Sequence, residues 1–201
     1  MPNIKLGGIL LAAGGSTRLG QPKQLLSLQG KTLVERTLVT MQEAIPNTIT
    51  VVTGGSAKEV SAQIEARNAH VAYNPEWETG MASSIKTGLN DLLKNSPDLN
   101  AIIICLCDQP FLTSQHLIDL QNSFINSDKK IIASLYNELE SVPALFDQSI
   151  FPDLLALKGQ EGARKVIRKA NKDILSIPFS KGIYDVDTPD AWEKIQSLFS
   201  K

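Results

Sequence analysis

The residues best suited to chemistry gather in one stretch, LLAAGGSTRLGQPKQLL at positions 10–26, where a run of small residues precedes Arg18 and Lys23. Ordered glycine loses more backbone freedom than any other residue, so such a run directly behind an apolar segment needs a compensating role. Binding an anion is the common one. Amide N–H groups in a tight glycine turn converge on phosphate oxygens, and Arg18 and Lys23 add full charges that backbone lacks. Two cations close behind one turn are costly to bury unless an anion or solvent receives them. A second candidate is Asp108, which closes the apolar run AIIICLC at 101–107, because a carboxylate ending a buried strand is seldom left without a partner. On the residues alone, Asp108 and Asp187 each stay open between a loop or helix-start carboxylate and a ligand.

Other reactive types offer less. The chain has two histidines and two cysteines, and neither His70 nor His116 lies near Cys105 and Cys107, so a structural zinc site has little support. On a strand the two cysteines stand about 6.6 Å apart on one face, near the outer limit for a disulfide and closing no useful loop, which predicts buried thiols. His116, two residues past Ser114 in a helix start, is expected at the surface.

Holding these groups requires a scaffold, and length and composition bound it. A chain of 201 residues buries roughly 70% of its extended surface and suits one domain over 1–201. With 42% hydrophobic residues, 20% charged residues and a net charge of -1, it has neither a basic field for nucleic acid nor a polybasic membrane patch. Its apolar runs fall well short of the ~18 residues a membrane span needs, and a cytoplasmic location is expected.

Strand and helix signals alternate along the chain. Lys5 to Ala12 reads as a buried strand. Leu33, Thr37, Leu38, Met41 and Ile45 follow at helical spacing, with Thr32 and Glu35 as a capping box. TITVVTGG is the next strand, and Ser56 with Glu59 repeats the box ahead of Val60 and Ile64. A short strand at Ala69 to Tyr73 precedes a helix lined by Met81, Ile85, Leu89 and Leu92, in which Trp77 and Met81 read equally well as apolar cover. Ala101 to Cys107 is apolar throughout, as a strand covered on both faces should be. Thr113 caps a helix bearing Leu117, Leu120 and Phe124, and KKIIASLY is a fifth strand. The pattern breaks from Asn137 to Pro143. Short helices at Leu154 to Leu157 and Gly162 to Ala170, a strand at Ile174 to Ile177 and a final helix capped by Thr188 with Pro189 in its first turn complete the chain. This alternation predicts a single-domain α/β fold with a doubly wound, mostly parallel sheet, Rossmann-like in outline, and ligands at the carboxyl ends of the strands. The loop Ala12 to Gly20 starts at such an end. It matches neither G-x-x-x-x-G-K-[ST] nor G-x-G-x-x-G, which disfavours a plain dinucleotide fold.

LAAGGSTRLGQPK, NPEWETGMASSIKTGL, LCDQPFL, PALF, GARKVI and DVDTPDAW resemble, in this order, the blocks of the MobA-like nucleotidyltransferases of the molybdenum cofactor family, and especially its cytidylyltransferase branch. The resemblance implies a nucleotide site containing Leu11, Ala12, Ala13, Gly14, Gly15, Ser16, Arg18, Lys23, Gly54, Asn74, Gly80, Ser84 and Asp108. Within it, Arg18, Lys23 and Asp108 are the catalytic candidates, and Asp108 and Asp187 would hold Mg2+. The guanylyl branch shows Ala-Gly-Gly where this chain has Ala12-Ala13-Gly14, which points to CTP. The implied reaction is attack by an acceptor phosphate on the α-phosphate of CTP, with pyrophosphate leaving. Molybdopterin is the implied acceptor, and a molybdoenzyme or its insertion chaperone the implied partner. One stretch departs from the pattern: Glu138, Leu139, Glu140, Ser141 and Val142 stand where the cytidylyl branch carries a glycine-rich, often histidine-bearing turn. Acidic residues there repel an acceptor phosphate unless they face away, so another small phosphate acceptor stays open. Guanylyl or other nucleotidyl transfer, a noncatalytic carrier of nucleotide or cofactor, and an NAD-dependent oxidoreductase are the alternatives. The glycine spacing argues against the last.

Overall fold

Strand β1 (Leu6–Ala12) lies near the middle of a seven-stranded sheet in the computed structural model, which describes residues 4–45 and 48–200. Its sequence LGGILLA is buried from the second residue onward, the signature of a strand covered on both faces. A small hairpin, β2 (Ser27–Leu28) and β3 (Lys31–Thr32), leads into α1 (Leu33–Ala44). Then come β4 (Ile49–Thr53), α2 (Ala57–Ile64), β5 (His70–Tyr73), α3 (Met81–Asn95) and β6 (Ala101–Leu106). The second half contains α4 (Ser114–Ile125), β7 (Ile131–Tyr136), β8 (Leu139–Asp147), α5 (Phe151–Leu155), α6 (Ala163–Lys169), β9 (Ile174–Pro178) and α7 (Pro189–Phe199). The sheet order is β5-β4-β1-β6-β8-β7-β9. All neighbours are parallel except the two pairs made by β8.

Alternation along the strands sorts the core into two layers. Ile9, Leu11, Val52, Ile102, Ile104 and Phe146 face α3, α5 and α6, whereas Leu10, Val51, Ile103, Cys105 and Leu145 face α1, α2 and α4. Each fully buried aliphatic or aromatic side chain of this kind contributes about 1.5–3 kcal/mol relative to exposure. Cys105 and Cys107 are free, buried thiols on one face, as expected. Burial drives both thiols upward, Cys107 to about 12. A third cluster joins Leu19, Leu28 and Leu33 to Val186 and Ile195, so the loop after β1 is packed against the segment that carries Asp187.

Three sequence expectations change. The segment at 137–143 is the turn and first half of β8. Asn137 and Glu138 have φ values of 50° and 59°, the pair of positive angles that a tight hairpin turn requires. Pro143 is tolerated because the β7–β8 register shifts between Ala133 and Ser134, and pairing with β6 reaches only to Ala144. It sits where no ladder bond is lost. Second, Thr32 and Glu35 form the reciprocal capping box, but Ser56 makes no side-chain cap, since its backbone (φ −117°, ψ 40°) is not extended. Third, His116 is buried. Its Nε2 lies 2.7 Å from Ser134 Oγ, and its ring stacks on Phe179 at 4.6 Å.

Candidate active site

β1 is the point from which the sheet grows in both directions, to β4 and β5 on one side and to β6 on the other. Loops leaving the carboxyl ends of β1 and β6 therefore diverge and leave a crevice. The loop after β1 supplies Ala13, Gly14, Gly15 and Lys23 to a cleft of about 390 Å³, and the end of β6 supplies Asp108. Leu11, Gly80, Ser84 and Trp77 complete its walls.

Backbone and side chains fix the loop. Gln24, 1% exposed, donates from Nε2 to the carbonyls of Ala12 at 3.0 Å and Gly14 at 2.7 Å. Ser16, with φ of 51°, accepts from the Lys23 amide at 3.0 Å through Oγ. Beneath the loop, the Trp77 ring lies so close that a Cβ on Gly54 would fall 2.7 Å from it and 2.5 Å from the Ala13 carbonyl oxygen. Gly54 therefore allows the loop and the end of β4 to approach. Gly80, at φ 128°, does the same for the start of α3, where a Cβ would meet the Gly159 carbonyl at 2.3 Å.

The charged centre is a ladder. Lys23 Nζ donates to Asp108 Oδ2 at 2.5 Å and to Asp187 Oδ1 at 2.7 Å, and Arg18 donates to Asp187 Oδ2 at 2.9 Å. Burial pulls the Lys23 ammonium down, but Asp108 and Asp187 outweigh it and hold the group above the ordinary lysine range. Burial pushes Asp187 up, and Lys23 and Arg18 overcome it, so its carboxyl sits below the usual value. Asp185 behaves in the opposite sense: burial and the charges of Asp108 and Asp187 raise it. Arg18 is 71% exposed at its side chain, whereas Lys23 is 16% exposed.

Asp108 Oδ1 is buried and has no hydrogen-bond partner. A buried carboxylate oxygen left free is costly unless something external meets it, and a hard divalent cation suits that oxygen together with Asp187. No group of three or more His, Cys, Asp or Glu side chains that could hold a metal occurs among the described residues.

Ala12, Ser16, Arg18, Gly54 and Asn74, also predicted for the site, do not line this cleft. Asn74 is buried behind the first turn of α3, where its Nδ2 donates to Ser83 Oγ at 2.8 Å and Ser84 Oγ at 3.0 Å. Ser83 donates back to the carbonyls of Glu76 and Gly80, but Ser84 lines the cleft. Sequence reasoning missed Gln24, whose role depends on two carbonyls turned inward, and Asp185, two residues before Asp187. It also missed Trp77 as the floor of the glycine loop. The pairing of two glycine-bearing turns, with Gly15 in one and Gly54 and Gly55 in the other, with one large aromatic was the available signal.

A glycine loop and a carboxylate stand at the switch point of a mostly parallel sheet, the arrangement of an α/β protein with its ligand crevice at the carboxyl ends of the strands. The model of the MobA-like NTP transferase domain matches residues 8–174, and the chain belongs to that family of nucleotidyltransferases. Relatives include nicotine blue oxidoreductase of Paenarthrobacter nicotinovorans, 32% identical with 81% of each chain covered. The purine catabolism protein PucB of Bacillus subtilis is 27% identical over 96% of this chain and 97% of its own. A probable molybdenum cofactor guanylyltransferase of Bacillus cytotoxicus is 26% identical over 78% and 75%. Among solved structures, Rv0371c of Mycobacterium tuberculosis superposes with a TM-score of 0.84 at 25% identity, covering 96% of this chain and 98% of its own. Its manganese complex gives 0.80 at 23% identity with the same coverage. No helix among the described residues is long and apolar enough to cross a membrane.

Proposed function

We propose that the protein transfers a cytidylyl group from CTP to the phosphate of a small acceptor, molybdopterin above all, releasing pyrophosphate. The observation that carries this reading is the Asp108–Lys23–Asp187 ladder at the mouth of the glycine-loop cleft. It sets a fixed cation and two carboxylates where a triphosphate would meet an acceptor. Lys23 stays protonated at neutral pH because its pKa is held up, so it acts as a charge and not as a base. The acceptor phosphate is already ionised and needs no proton removed. Alignment and electrostatic stabilisation are then the main tasks. Loop amides and Arg18 would receive phosphate oxygens, with Ser84 offering a hydroxyl from the cleft wall. Asp108 and Asp187 would hold Mg2+, which supplies positive charge against the triphosphate; the manganese complex of the mycobacterial neighbour supports a divalent ion here. Ala13 lines the cleft, and its methyl narrows the loop relative to the Ala-Gly-Gly of the guanylyl branch. That supports the smaller base.

Isothermal titration of CTP and GTP, with and without magnesium, tests the reading together with pyrophosphate release on addition of molybdopterin. Expected are magnesium-dependent binding, preference for CTP, and release only with acceptor present. Tighter binding of GTP would overturn the cytidylyl assignment. The oxidoreductase name of the Paenarthrobacter relative favours one second reading, a nicotinamide-dependent reduction, so NADH and NADPH enter the same titration. Binding of either in place of CTP would replace nucleotidyl transfer.

A further inference from the structure

A cavity of about 200 Å³ lies between α1 and the segment after β6, and it shares no lining residue with the glycine-loop cleft. Lys31 of the hairpin lines it, together with Arg36, Thr40 and Glu43 of α1 and Gln109, the residue that follows Asp108. Residues three and four apart are neighbours on a helix, so Arg36, Thr40 and Glu43 share one stripe of α1.

The charges on this wall are unevenly placed. Lys31 and Arg36 stand at the approach to α1 and in its first turn, whereas Glu43 lies in the last turn, about 10 Å further along the axis. Neither cation forms an ion pair among the described residues. The Arg36 guanidinium sits 5.0 Å over the Phe199 ring, and its Nη1 donates to the Leu28 carbonyl at a long 3.4 Å. Its Nε is buried and has no hydrogen-bond partner. Burial with no opposite charge beside it pulls the group below the ordinary arginine range. Gln109 is 3% exposed, and its Nε2 donates to Tyr136 Oη at 3.2 Å and to the Val142 carbonyl at 3.3 Å. Those two acceptors fix the amide's orientation and leave Oε1 buried without a partner. Residues of one wall thus hold an unmatched buried donor and an unmatched buried acceptor, each costly to the fold until something meets it.

We propose that this cavity binds hydrogen phosphate, as the free ion or as the terminal group of a monoester. Phosphate oxygens suit the ammonium of Lys31 and the planar guanidinium of Arg36, and Thr40 adds a hydroxyl. The remaining P–OH group is a donor for an acceptor such as Gln109 Oε1, which fully ionised sulfate cannot supply. The inference does not depend on the nucleotidyl-transfer reading, because the nucleotide cleft is lined by other residues.

The test titrates inorganic phosphate, phenyl phosphate and sulfate separately into the isotope-labelled full chain, without nucleotide or metal. Amide resonances of Arg36, Thr37 and Thr40 are followed apart from those of Gly14 and Gly15, so that binding on α1 is distinguished from binding on the glycine loop. Phosphate is expected to give saturable shifts on α1, with sulfate weaker by about fivefold for the missing hydrogen bond. Arg36→Gln should weaken phosphate there by about tenfold or more, and Lys31→Gln, at an exposed position, by about threefold. Shifts of Gly14 and Gly15 should be the same in both variants as in wild type. Thermal melts control for folding, and should Arg36→Gln fail to fold, Lys31→Gln decides. Absence of saturable shifts on α1 in wild type would overturn the proposal, as would unchanged phosphate affinity in the deciding variant or equal affinity for sulfate and phosphate. Phenyl phosphate binding on α1 as phosphate does would assign the site to an ester's phosphate, and binding of inorganic phosphate alone would assign it to the free ion; either supports the proposal.

Discussion

At the scale of single residues, Lys23, Asp108 and Arg18 differ in ways that their side-chain types alone do not reveal. Replacing Asp108 by Asn keeps shape and removes the charge on a buried oxygen that has no partner. Turnover should fall at least tenfold, about 1.4 kcal/mol of barrier, with an unchanged circular dichroism spectrum. Activity within twofold of wild type would take Asp108 off the reaction path. The two cations should separate in a joint kinetic and melting series. Arg18→Ala and Lys23→Ala are each expected to lower turnover by about 100-fold, and Arg18→Lys should fail to restore it, because an ammonium cannot reproduce the guanidinium fork. Only Lys23→Ala should also lower the melting temperature. It leaves the buried Asp108 carboxylate without its counter-charge and beside Asp187, a loss of the order of 3 kcal/mol for a buried pair, whereas Arg18 is 71% exposed.

At the scale of elements, helix starts give a contrast between two similar sequence signals. Thr32 caps α1, while Ser56 makes no side-chain bond at the start of α2. Thr32→Ala should cost about 1 kcal/mol in urea unfolding, and Ser56→Ala less than about 0.5 kcal/mol. Equal losses would show that Ser56 forms its cap in solution. Most helices and strands were legible because each depends on periodicity and caps within a few residues; Thr113 and Thr188 accept at the positions their spacing indicated. β8 was not legible, since its pairing partners lie on β6 and β7, and Pro143 masks its alternation. Asn137, a residue that tolerates positive φ, was the only local sign of the turn.

For the whole molecule, His116 links α4 to the sheet and gives stability a pH dependence. Ser134 Oγ donates to the Pro143 carbonyl at 2.6 Å, so it accepts from His116 Nε2, which carries a proton. Burial lowers its pKa below the ordinary 6.5. The unfolded chain therefore binds the proton more readily, and stability rises with pH across this range. His116 makes its full contribution above pH 6.5 and loses it as pH falls through the folded value. Urea unfolding at pH 7.5 and pH 5 should show a loss on acidification that is smaller in His116→Gln. An equal loss in both proteins would remove His116 as its source.

The sequence by itself determined the alternation of strands and helices, the buried cysteine pair, the caps at Thr32, Thr113 and Thr188, and a glycine loop with two cations behind β1. These are local properties, set by side-chain spacing and backbone preference over a turn or two. Only the tertiary structure decided which charges meet. Lys23 reaches Asp108 across 85 positions and Asp187 across 164, and neither separation leaves a trace in local periodicity. It also decided that Glu140 turns toward Ser176 of β9, that His116 is buried, and that Trp77 lies against Gly15, Gly54 and Gly55. Each of these depends on how the strands are ordered, and that order arises from packing between segments far apart in the chain.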